Sequence, residues 1–462
     1  MDFKGLRVRQ MKEKKRNIFK EARFHPAQFL AIGFVVTIFV GTVLLYLPFS
    51  TTSGHISFYD ALFTSTSAVC VTGLIVKDTG TYFSPVGQVI IMMLFQIGGL
   101  GIMTFSTLVL LVAGKRIAIK DSITLKEDYL HTSSLRIQSL IRNIFLYTLG
   151  IEFLGTLVFY AQFHNKLAQG KALFHSLFHS ISAFCNAGFC LNEDSFESFR
   201  GDIGVNLNLM VLIVLGGLGF IVLKETAGSF SGLLRKKHIR FSLHAKLVLK
   251  VTFLLLLLSS ALFFVLEYNH SLKDYSTGEK ILSSLFQVVT PRTAGFNTMD
   301  MNALGLGAVF LLIFLMFVGA SPGSTGGGVK TSTVGAVFAF LKSKVLARET
   351  VNVSFRTIPF ALITKAFTVI TLGICIICAS IFLLFISQPG VSMKEAVFEV
   401  FSAFGTVGLS LGLTPRLNDM GKIVIVLTMY IGRIGPLTFL YAFSRKSAKG
   451  RYDYVEESIM IG

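Results

Sequence analysis

Four short stretches of the chain contain the residue types that could bind a dehydrated cation through backbone oxygens. Each ends in a glycine, and the four read Val71-Thr72-Gly73, Asn186-Ala187-Gly188, Thr293-Ala294-Gly295 and Thr406-Val407-Gly408. The glycines recur at intervals of 115, 107 and 113 residues. Thr-Val-Gly begins the loop whose carbonyl oxygens replace the hydration shell of potassium in tetrameric channels. Four such loops in one chain predict a single cation filter built from four repeats.

A short apolar stretch precedes each of these loops. The four stretches run from Phe58 to Val69, His175 to Phe184, Ile281 to Val289 and Ala396 to Phe404. About ten residues are too few to cross a bilayer but suit a half-helix that enters from one side. These stretches contain Asp60, His175, His179 and Glu399. Ionisable groups inside a membrane are often functional. Because these four would pack against the filter, we favour a structural role for them, and we favour the same role for Glu152 and Lys365 in longer apolar segments.

The composition is that of a chain with many membrane spans. Of its 462 residues 52% are hydrophobic and 15% charged, and the mean hydropathy is +0.68. Runs of about 20 apolar residues are long enough to span a bilayer as helices. Eight segments qualify: about 27–47, 86–113, 139–161, 203–223, 247–268, 305–341 with an interruption, 360–387 and 421–443.

The net charge of +18 comes from basic clusters that lie on alternate sides of the apolar segments. This distribution predicts membrane topology with both termini in the cytoplasm, not nucleic-acid binding. Residues 1–25 are basic and lack the apolar core of a signal peptide. The expected location is therefore the cell membrane, crossed several times. Five cysteines in or beside apolar segments are expected to pack without forming a disulfide framework.

These features together predict an all-α polytopic membrane protein. Four parallel repeats of helix, pore helix, filter loop and helix would surround a pseudo-fourfold pore. The predicted boundaries are a basic N-terminal segment 1–25, repeats at 26–114, 138–228, 245–345 and 357–444, and a cytoplasmic tail 445–462.

The second helix of each predicted repeat carries a further glycine pattern. Three repeats contain Gly98-Gly99-Leu100-Gly101, Gly216-Gly217-Leu218-Gly219 and Gly432-Arg433-Ile434-Gly435. Glycines in spanning helices typically allow close packing, which we expect to be their main cause, with bending as a compatible consequence.

The third repeat has a glycine- and serine-rich segment, 319–333, where the other repeats have helix. It contains Gly319, Ser321, Gly323, Ser324, Thr325, Gly326, Gly327, Gly328 and Lys330. Irregular backbone at membrane depth is tolerated only when it is buried in protein or lines a watery cavity, and a position just below the filter meets that condition. The segment is not predicted to bind nucleotide, because Val329 separates glycine from Lys330 and no strand precedes it.

The filters, the glycines below them and the interrupted third helix together resemble the Trk/Ktr/HKT superfamily of potassium transporters. Within it, the chain looks most similar to the membrane (KtrB-like) subunit of bacterial Ktr systems, over essentially all of 24–462. The resemblance implies that the four glycines and their neighbours select potassium. It implies that segment 319–333 is an intramembrane gate, and that Arg433 faces this gate.

The resemblance also implies partners. Membrane subunits of this superfamily are homodimers assembled on a cytoplasmic ring of RCK-type nucleotide-binding subunits. No cofactor is expected on this chain itself, potassium is the expected transported ion, and a role for sodium stays open.

Two other classes of function fit the sequence less well. An alternating-access secondary transporter usually carries broken helices in symmetry-related pairs and often inverted repeats, whereas this sequence predicts parallel repeats with one broken helix. An enzyme is not expected, because no nucleophile–base or metal-ligand set is evident.

Overall fold

The computed structural model describes residues 26–101, 137–234, 241–443 and 457. Its helices are α1 Pro26–Tyr46, α2 Phe58–Val69, α3 Pro85–Leu100, α4 Ile137–Phe163, α5 Gln169–Cys185, α6 Ile203–Leu218, α7 Phe220–Leu234, α8 Leu243–Glu267, α9 Thr277–Val289, α10 Leu306–Phe317, α11 Thr331–Val345, α12 Phe360–Ser387, α13 Met393–Gly405, α14 Asp419–Ile434 and α15 Pro436–Phe443. A hairpin of β1 Asn352–Val353 and β2 Arg356–Thr357 lies between α11 and α12. The predicted basic segment 1–25, nearly all of the tail 445–462 and the basic residues at 115–120 and 235–240 lie outside the described residues.

A helix covers each short stretch that the sequence predicted, namely α2, α5, α9 and α13. The last three begin earlier than their apolar residues do, because polar residues form the first turn. Ser276 and Ser392 cap α9 and α13 with capping boxes. In each box the serine hydroxyl accepts from the backbone N–H of the glutamate three residues later, and the carboxylate of that glutamate accepts from the backbone N–H of the serine. Such caps satisfy backbone donors that a helix start would otherwise leave unpaired.

The short helices and the helices that follow their loops pack in a closed cycle. Helix α3 contacts α5, α6 contacts α9, α10 contacts α13, and α14 returns to contact α2. Each contact joins one segment of the chain to the short helix of the next segment, and the last joins the end of the chain to its beginning. This order brings the loops after α2, α5, α9 and α13 to one place.

Several helices match membrane-spanning dimensions, but the eight predicted spans need correction. Among the described residues, three helices are long and apolar enough to cross a bilayer: Arg142–Phe163, Leu243–Glu267 and Phe360–Ser387. The predicted span 203–223 instead breaks after Leu218, and its two parts are bent by 109°. The predicted span 421–443 also breaks, at Gly435 between α14 and α15. The expectation of a single broken helix was therefore wrong.

The helices that begin the predicted repeats turn apolar side chains outwards. Phe39 on α1, Phe153 on α4, Leu258 on α8 and Phe382 on α12 are each more than 60% exposed. Large apolar side chains in such numbers would be costly in water and are at no disadvantage in lipid. The polar residues at the ends of the short helices are buried instead: Ser67, Ser182, Thr290 and Ser402 are each 0% exposed.

Candidate functional site

The four predicted filter glycines lie next to one another in a closed ring. A Cβ placed on Gly73, Gly188, Gly295 or Gly408 would lie within 3 Å of one carbonyl oxygen of the next stretch, belonging to Ala187, Ala294, Val407 and Thr72 respectively. The last of these contacts closes the ring between the fourth stretch and the first. All four glycines have positive φ, from +72° to +96°. Only glycine satisfies both the close approach and this backbone conformation without strain.

The residue two positions before each glycine is also left-handed. Val71, Asn186, Thr293 and Thr406 have φ between 51° and 68°. Side chains rarely adopt this conformation, and where they do the surrounding structure holds them in it. Repeating it at the same place in four stretches gives the four loops one backbone shape, although their side chains differ.

Each short helix holds its loop with equivalent hydrogen bonds. The backbone N–H groups of Thr72, Ala187 and Val407 donate to Ser67, Ser182 and Ser402, each at 2.8 Å, and that of Ala294 donates to Thr290 at 2.9 Å. The hydroxyl groups of Ser67, Ser182, Ser402 and Thr290 form a second set of hydrogen bonds, with backbone groups at or just after the filter glycine. Ser67 and Ser402 accept from the N–H groups of Gly73 and Gly408 at 3.1 Å, whereas Ser182 and Thr290 donate to the carbonyls of Phe189 and Phe296. Thr290 therefore takes the place of these serines in the third stretch, where the distance to the filter glycine is one residue shorter.

The glycines of the second helices divide into two roles. A Cβ on Gly98, Gly216 or Gly432 would overlap the carbonyl oxygen of Val69, Phe184 or Phe404 at the end of the adjacent short helix. Close packing is thus confirmed as one cause of the pattern. Three residues later, Gly101, Gly219 and Gly435 have φ of 77°, 89° and 89° and lie where α3, α6 and α14 end. The first glycine of each pair allows contact with the short helix, and the second terminates the regular helix.

The glycine-rich segment between α10 and α11 lies directly against the ring. It runs from the end of α10 at Phe317 to the start of α11 at Thr331, so the predicted residues 331–333 belong to a helix. A Cβ on Gly326 would overlap Oγ1 of Thr293, and one on Gly327 would overlap Oγ1 of Thr406. The backbone of these two glycines therefore contacts two of the four ring stretches directly, with no side chain between them.

Hydrogen bonds join this segment to α5 and α6 and to itself. The N–H groups of Ser321 and Thr325 donate to the carbonyls of Gly217 and Gly216 at 3.0 and 3.2 Å. Thr325 Oγ1 donates to the carbonyl of Phe184 at 3.2 Å, and Ser321 Oγ lies 2.9 Å from Thr331 Oγ1. These bonds satisfy the backbone that the interrupted helix leaves unpaired.

Smaller contacts stabilise the turns within the segment. Lys330 Nζ donates to the carbonyl of Gly326 at 2.8 Å, and Ser324 Oγ donates to that of Ser321 at 2.6 Å. Gly323 and Gly328 have positive φ, and Gly319 packs against the carbonyl of Gly327.

Arg433 on α14 bridges the segment to α3. Its Nη1 donates to the carbonyl of Thr325 at 2.5 Å, and its Nη2 donates to the carbonyl of Gly98 on α3. The guanidinium therefore joins α14, α3 and the glycine-rich segment. A forked donor can hold two acceptors at once, which lysine cannot do with the same geometry.

Sequence reasoning missed Arg292 as a site residue. It precedes the left-handed Thr293, so it occupies the position that Cys70, Cys185 and Gly405 hold in the other stretches. Its side chain is 3% exposed, and its three guanidinium nitrogens have no hydrogen-bond partner among the described residues. Its own carbonyl accepts from Asn186 Nδ2 at 3.0 Å. The sequence signal that could have identified it is a charged arginine between the apolar residues Val289 and Phe296.

Four of the other ionisable groups that the sequence singled out have hydrogen-bond or ion-pair partners, namely Glu399, Glu152, His179 and Asp60. Glu399 accepts from Ser410 Oγ at 2.7 Å and from Thr414 Oγ1, which ties the segment after the fourth loop to α13. Glu152 accepts from Gln96 at 3.0 Å, and His179 Nε2 accepts from the N–H of Leu191 at 3.1 Å. Asp60 pairs with Lys422 at 2.7 Å. Lys365 lines a cavity of about 590 Å³ beside α8 and α11.

A narrow ring of carbonyl oxygens enclosed by apolar helices is typical of membrane proteins that move cations. Comparison with known proteins agrees. The family model for TrkH, described as a cation transport protein, matches residues 7–452. The chain is 41% identical over 454 residues to the Ktr system potassium uptake protein B of Bacillus subtilis, covering 97% of this chain and 99% of that one. It is 38% identical over 447 residues to the potassium/sodium uptake protein NtpJ of Enterococcus hirae, covering 95% and 98%.

The fold is also similar to a solved structure. The crystal structure of the potassium transporter TrkH from Vibrio parahaemolyticus matches with a TM-score of 0.69 at 22% identity, over 90% of this chain and 85% of that one. The chain therefore belongs to the TrkH family of cation transport proteins. The resemblance to the Trk/Ktr superfamily is confirmed, and the family is one of transport proteins, not enzymes.

Proposed function

We propose that this chain takes up potassium across the cell membrane through a pore whose selectivity filter is the ring at Gly73, Gly188, Gly295 and Gly408. The observation that carries the proposal is the closed contact between the four glycines and the carbonyls of Thr72, Ala187, Ala294 and Val407. The names of the relatives, which are potassium uptake proteins, support the choice of ion. The four segments would then be parallel repeats around a pseudo-fourfold axis, consistent with the cyclic packing of their helices.

The filter would select through backbone oxygens of the four three-residue stretches. Only the fourth reads Thr-Val-Gly, and none continues with Tyr-Gly. A shorter filter offers fewer successive carbonyl rings, so discrimination against sodium should be weaker than in a full Thr-Val-Gly-Tyr-Gly loop. A relative named as a potassium/sodium uptake protein supports a role for sodium.

The segment 319–333 would act as the gate, with Arg433 as its latch. The contacts of Gly326 and Gly327 with the ring residues Thr293 and Thr406 support this role. If the ring is the filter, the segment would lie in the path of an ion that leaves it. Arg433 holds the segment there through Thr325 and adds positive charge below the ring. Opening would require the segment to move away, which its glycines permit.

Regulation would come from partner chains. Relatives are named as proteins of Ktr systems, which supports a membrane subunit that works with others. We propose a homodimer on a cytoplasmic RCK-type nucleotide-binding ring, with both termini of this chain in the cytoplasm. Co-purification with a candidate ring protein tests the assembly. The proposal fails if no complex forms at any ionic strength and a strain lacking the ring protein retains full uptake.

An alternating-access transporter is the second candidate. The breaks at Gly219 and Gly435 favour it more than the sequence did, because α6 and α14 are interrupted as well as the third-repeat helix. Single-protein conductance in a planar bilayer separates the two. Unitary currents support a pore, whereas turnover without resolvable currents supports alternating access.

The filter itself is tested by Gly408→Ser, with Gly412→Ser as control. Both glycines have positive φ, but a Cβ at Gly408 meets the carbonyl of Thr72, whereas one at Gly412 meets nothing within 4 Å. Gly408→Ser should raise the half-saturating potassium concentration for uptake and reduce preference over sodium, and Gly408→Asp should nearly abolish uptake. Gly412→Ser carries only the backbone strain and should retain selectivity. Unchanged ion preference in Gly408→Ser would refute the filter assignment.

A further inference from the structure

A long apolar groove lies on the outer side of the third repeat, between α8, α10 and α11. Its volume is about 850 Å³. Leu254, Leu258 and Leu262 line it at one-turn intervals along α8, and Phe310 and Phe338 face them from α10 and α11. Leu258, Phe310 and Phe338 are 64%, 75% and 70% exposed. These are among the most exposed large side chains of the helices, although they surround a concave surface.

Close helix contacts form the floor of the groove. A Cβ on Gly335 of α11 would lie 3.0 Å from Val251 and 3.1 Å from Leu247 on α8. At the other end, a Cβ on Gly307 would lie 3.3 Å from Leu266. The two glycines let α10 and α11 approach α8, so the groove is closed behind and open in front.

Three basic side chains line one end of the groove. Lys250 comes from α8, Lys342 from the last turn of α11, and Arg348 from the turn before the hairpin. All three are exposed. Among the described residues, none of the three forms a salt bridge, and no aspartate or glutamate lines the groove.

The dimensions match one leaflet of a membrane. Lys250 and Leu262 are separated by 12 residues of α8, or about 18 Å at the helical rise of ~1.5 Å per residue. This is close to half of the roughly 30 Å hydrocarbon core. An occupant with an anionic head and an apolar tail of that length fits both ends.

We propose that this groove binds an anionic phospholipid, with its acyl chain along Leu254, Leu258 and Leu262 and its phosphate at Lys250, Lys342 and Arg348. Basic pockets between transmembrane helices are suited to acidic head groups. A second copy of this chain fits less well, because a twofold interface places the same patch against itself and would oppose the basic ends.

The bound lipid would act on the glycine-rich segment. Helix α11 starts at Thr331, directly after that segment, and contributes Phe338 and Lys342 to the groove. A lipid that bridges α8 and α11 would therefore hold the far end of the segment. This consequence rests on the proposed gate, whereas lipid binding requires only that the helices lie in a bilayer.

The test compares two double variants on the same two helices. Lys250→Gln/Lys342→Gln removes groove charges, whereas Lys246→Gln/Lys344→Gln removes exposed charges that do not line the groove. Full-length protein in detergent is titrated with phosphatidylglycerol or phosphatidylcholine, and bound lipid is read by native mass spectrometry. Because no ion flux is measured, failure here is distinct from failure of the proposed potassium uptake.

We expect the parent to prefer phosphatidylglycerol. Each basic residue near a membrane surface changes the affinity for anionic lipid by roughly fivefold, so the groove variant should bind phosphatidylglycerol about 30-fold more weakly. Its binding of phosphatidylcholine should not change, and the control variant should stay close to the parent. Equal losses in both variants, or no preference for phosphatidylglycerol in the parent, would overturn the proposal. Efficient disulfide cross-linking of two copies through Leu258→Cys, in a background with Cys375→Ser and Cys378→Ser, would also overturn it.

Discussion

Arg433 provides the sharpest test of the gate, because one side chain joins the glycine-rich segment to two helices. Its guanidinium donates to Thr325 in that segment and to Gly98 on α3. We consider two substitutions. Arg433→Met removes both the charge and the donors at similar volume, whereas Arg433→Lys keeps the charge but loses the fork.

The size of the effect follows from the two hydrogen bonds. A hydrogen bond from a charged donor contributes about 1.5–3 kcal/mol, and water can replace part of it once the segment moves. A loss of about 3 kcal/mol from the closed state in Arg433→Met shifts the closed-to-open ratio by ~100-fold. Lysine can reach one carbonyl at a time, so Arg433→Lys should shift the ratio by about tenfold.

The assay is potassium uptake in cells that lack other uptake systems, with and without the regulatory ring, normalised to membrane protein. Both variants should take up potassium faster and depend less on the ring, with methionine the stronger. If Arg433→Lys behaves as the parent and only Arg433→Met is fast, charge and not bridging keeps the path closed. If well-expressed Arg433→Met is no faster than the parent, the latch argument is refuted.

Three further predictions follow from other contacts. Deleting about six residues within 321–328 should speed uptake and weaken dependence on the ring, because Gly326 and Gly327 no longer cover Thr293 and Thr406; unchanged flux at normal expression would make the segment structural only. Gly216→Ala should lower the thermal unfolding temperature in detergent, since its Cβ would overlap the carbonyl of Phe184 at a cost of about 1–3 kcal/mol. Gly150→Ala, in open space on α4, should raise it slightly, and equal shifts would contradict the packing role. Glu399→Leu should destabilise the fold by about 1–3 kcal/mol by leaving Ser410 and Thr414 without their acceptor, with Glu399→Gln intermediate; equal unfolding temperatures for all three proteins would count against this.

Much of this architecture could be predicted from the sequence, because its signals are local. Apolar run length marked where helices lie but not the breaks at Gly219 and Gly435, and the recurring glycines marked four loops with the same backbone shape. The glycine, serine and proline residues of 319–333 marked the interruption, and the structure differs by including 331–333 in α11. Each of these features is written within a few neighbouring residues, so no knowledge of distant contacts is needed to find it.

The tertiary structure alone decided which glycine does what. Gly216 and Gly219 lie three residues apart in one apolar run, yet the first packs against Phe184 and the second takes a positive φ and breaks the helix. Two buried charged residues also differ in their hydrogen bonding. The Arg292 guanidinium has no hydrogen-bond partner among the described residues, whereas the Glu399 carboxylate accepts from the hydroxyls of Ser410 and Thr414. These outcomes depend on neighbours that only folding supplies. Phe184 of α5 meets Gly216, and the hydroxyls of Ser410 and Thr414 meet Glu399. A Cβ on Gly219 would lie 2.5 Å from the carbonyl oxygen of Pro322 in the glycine-rich segment. A single sequence states the residue type at each position, but the space, acceptors and dihedral angles there are set only when separate segments of the chain pack against one another.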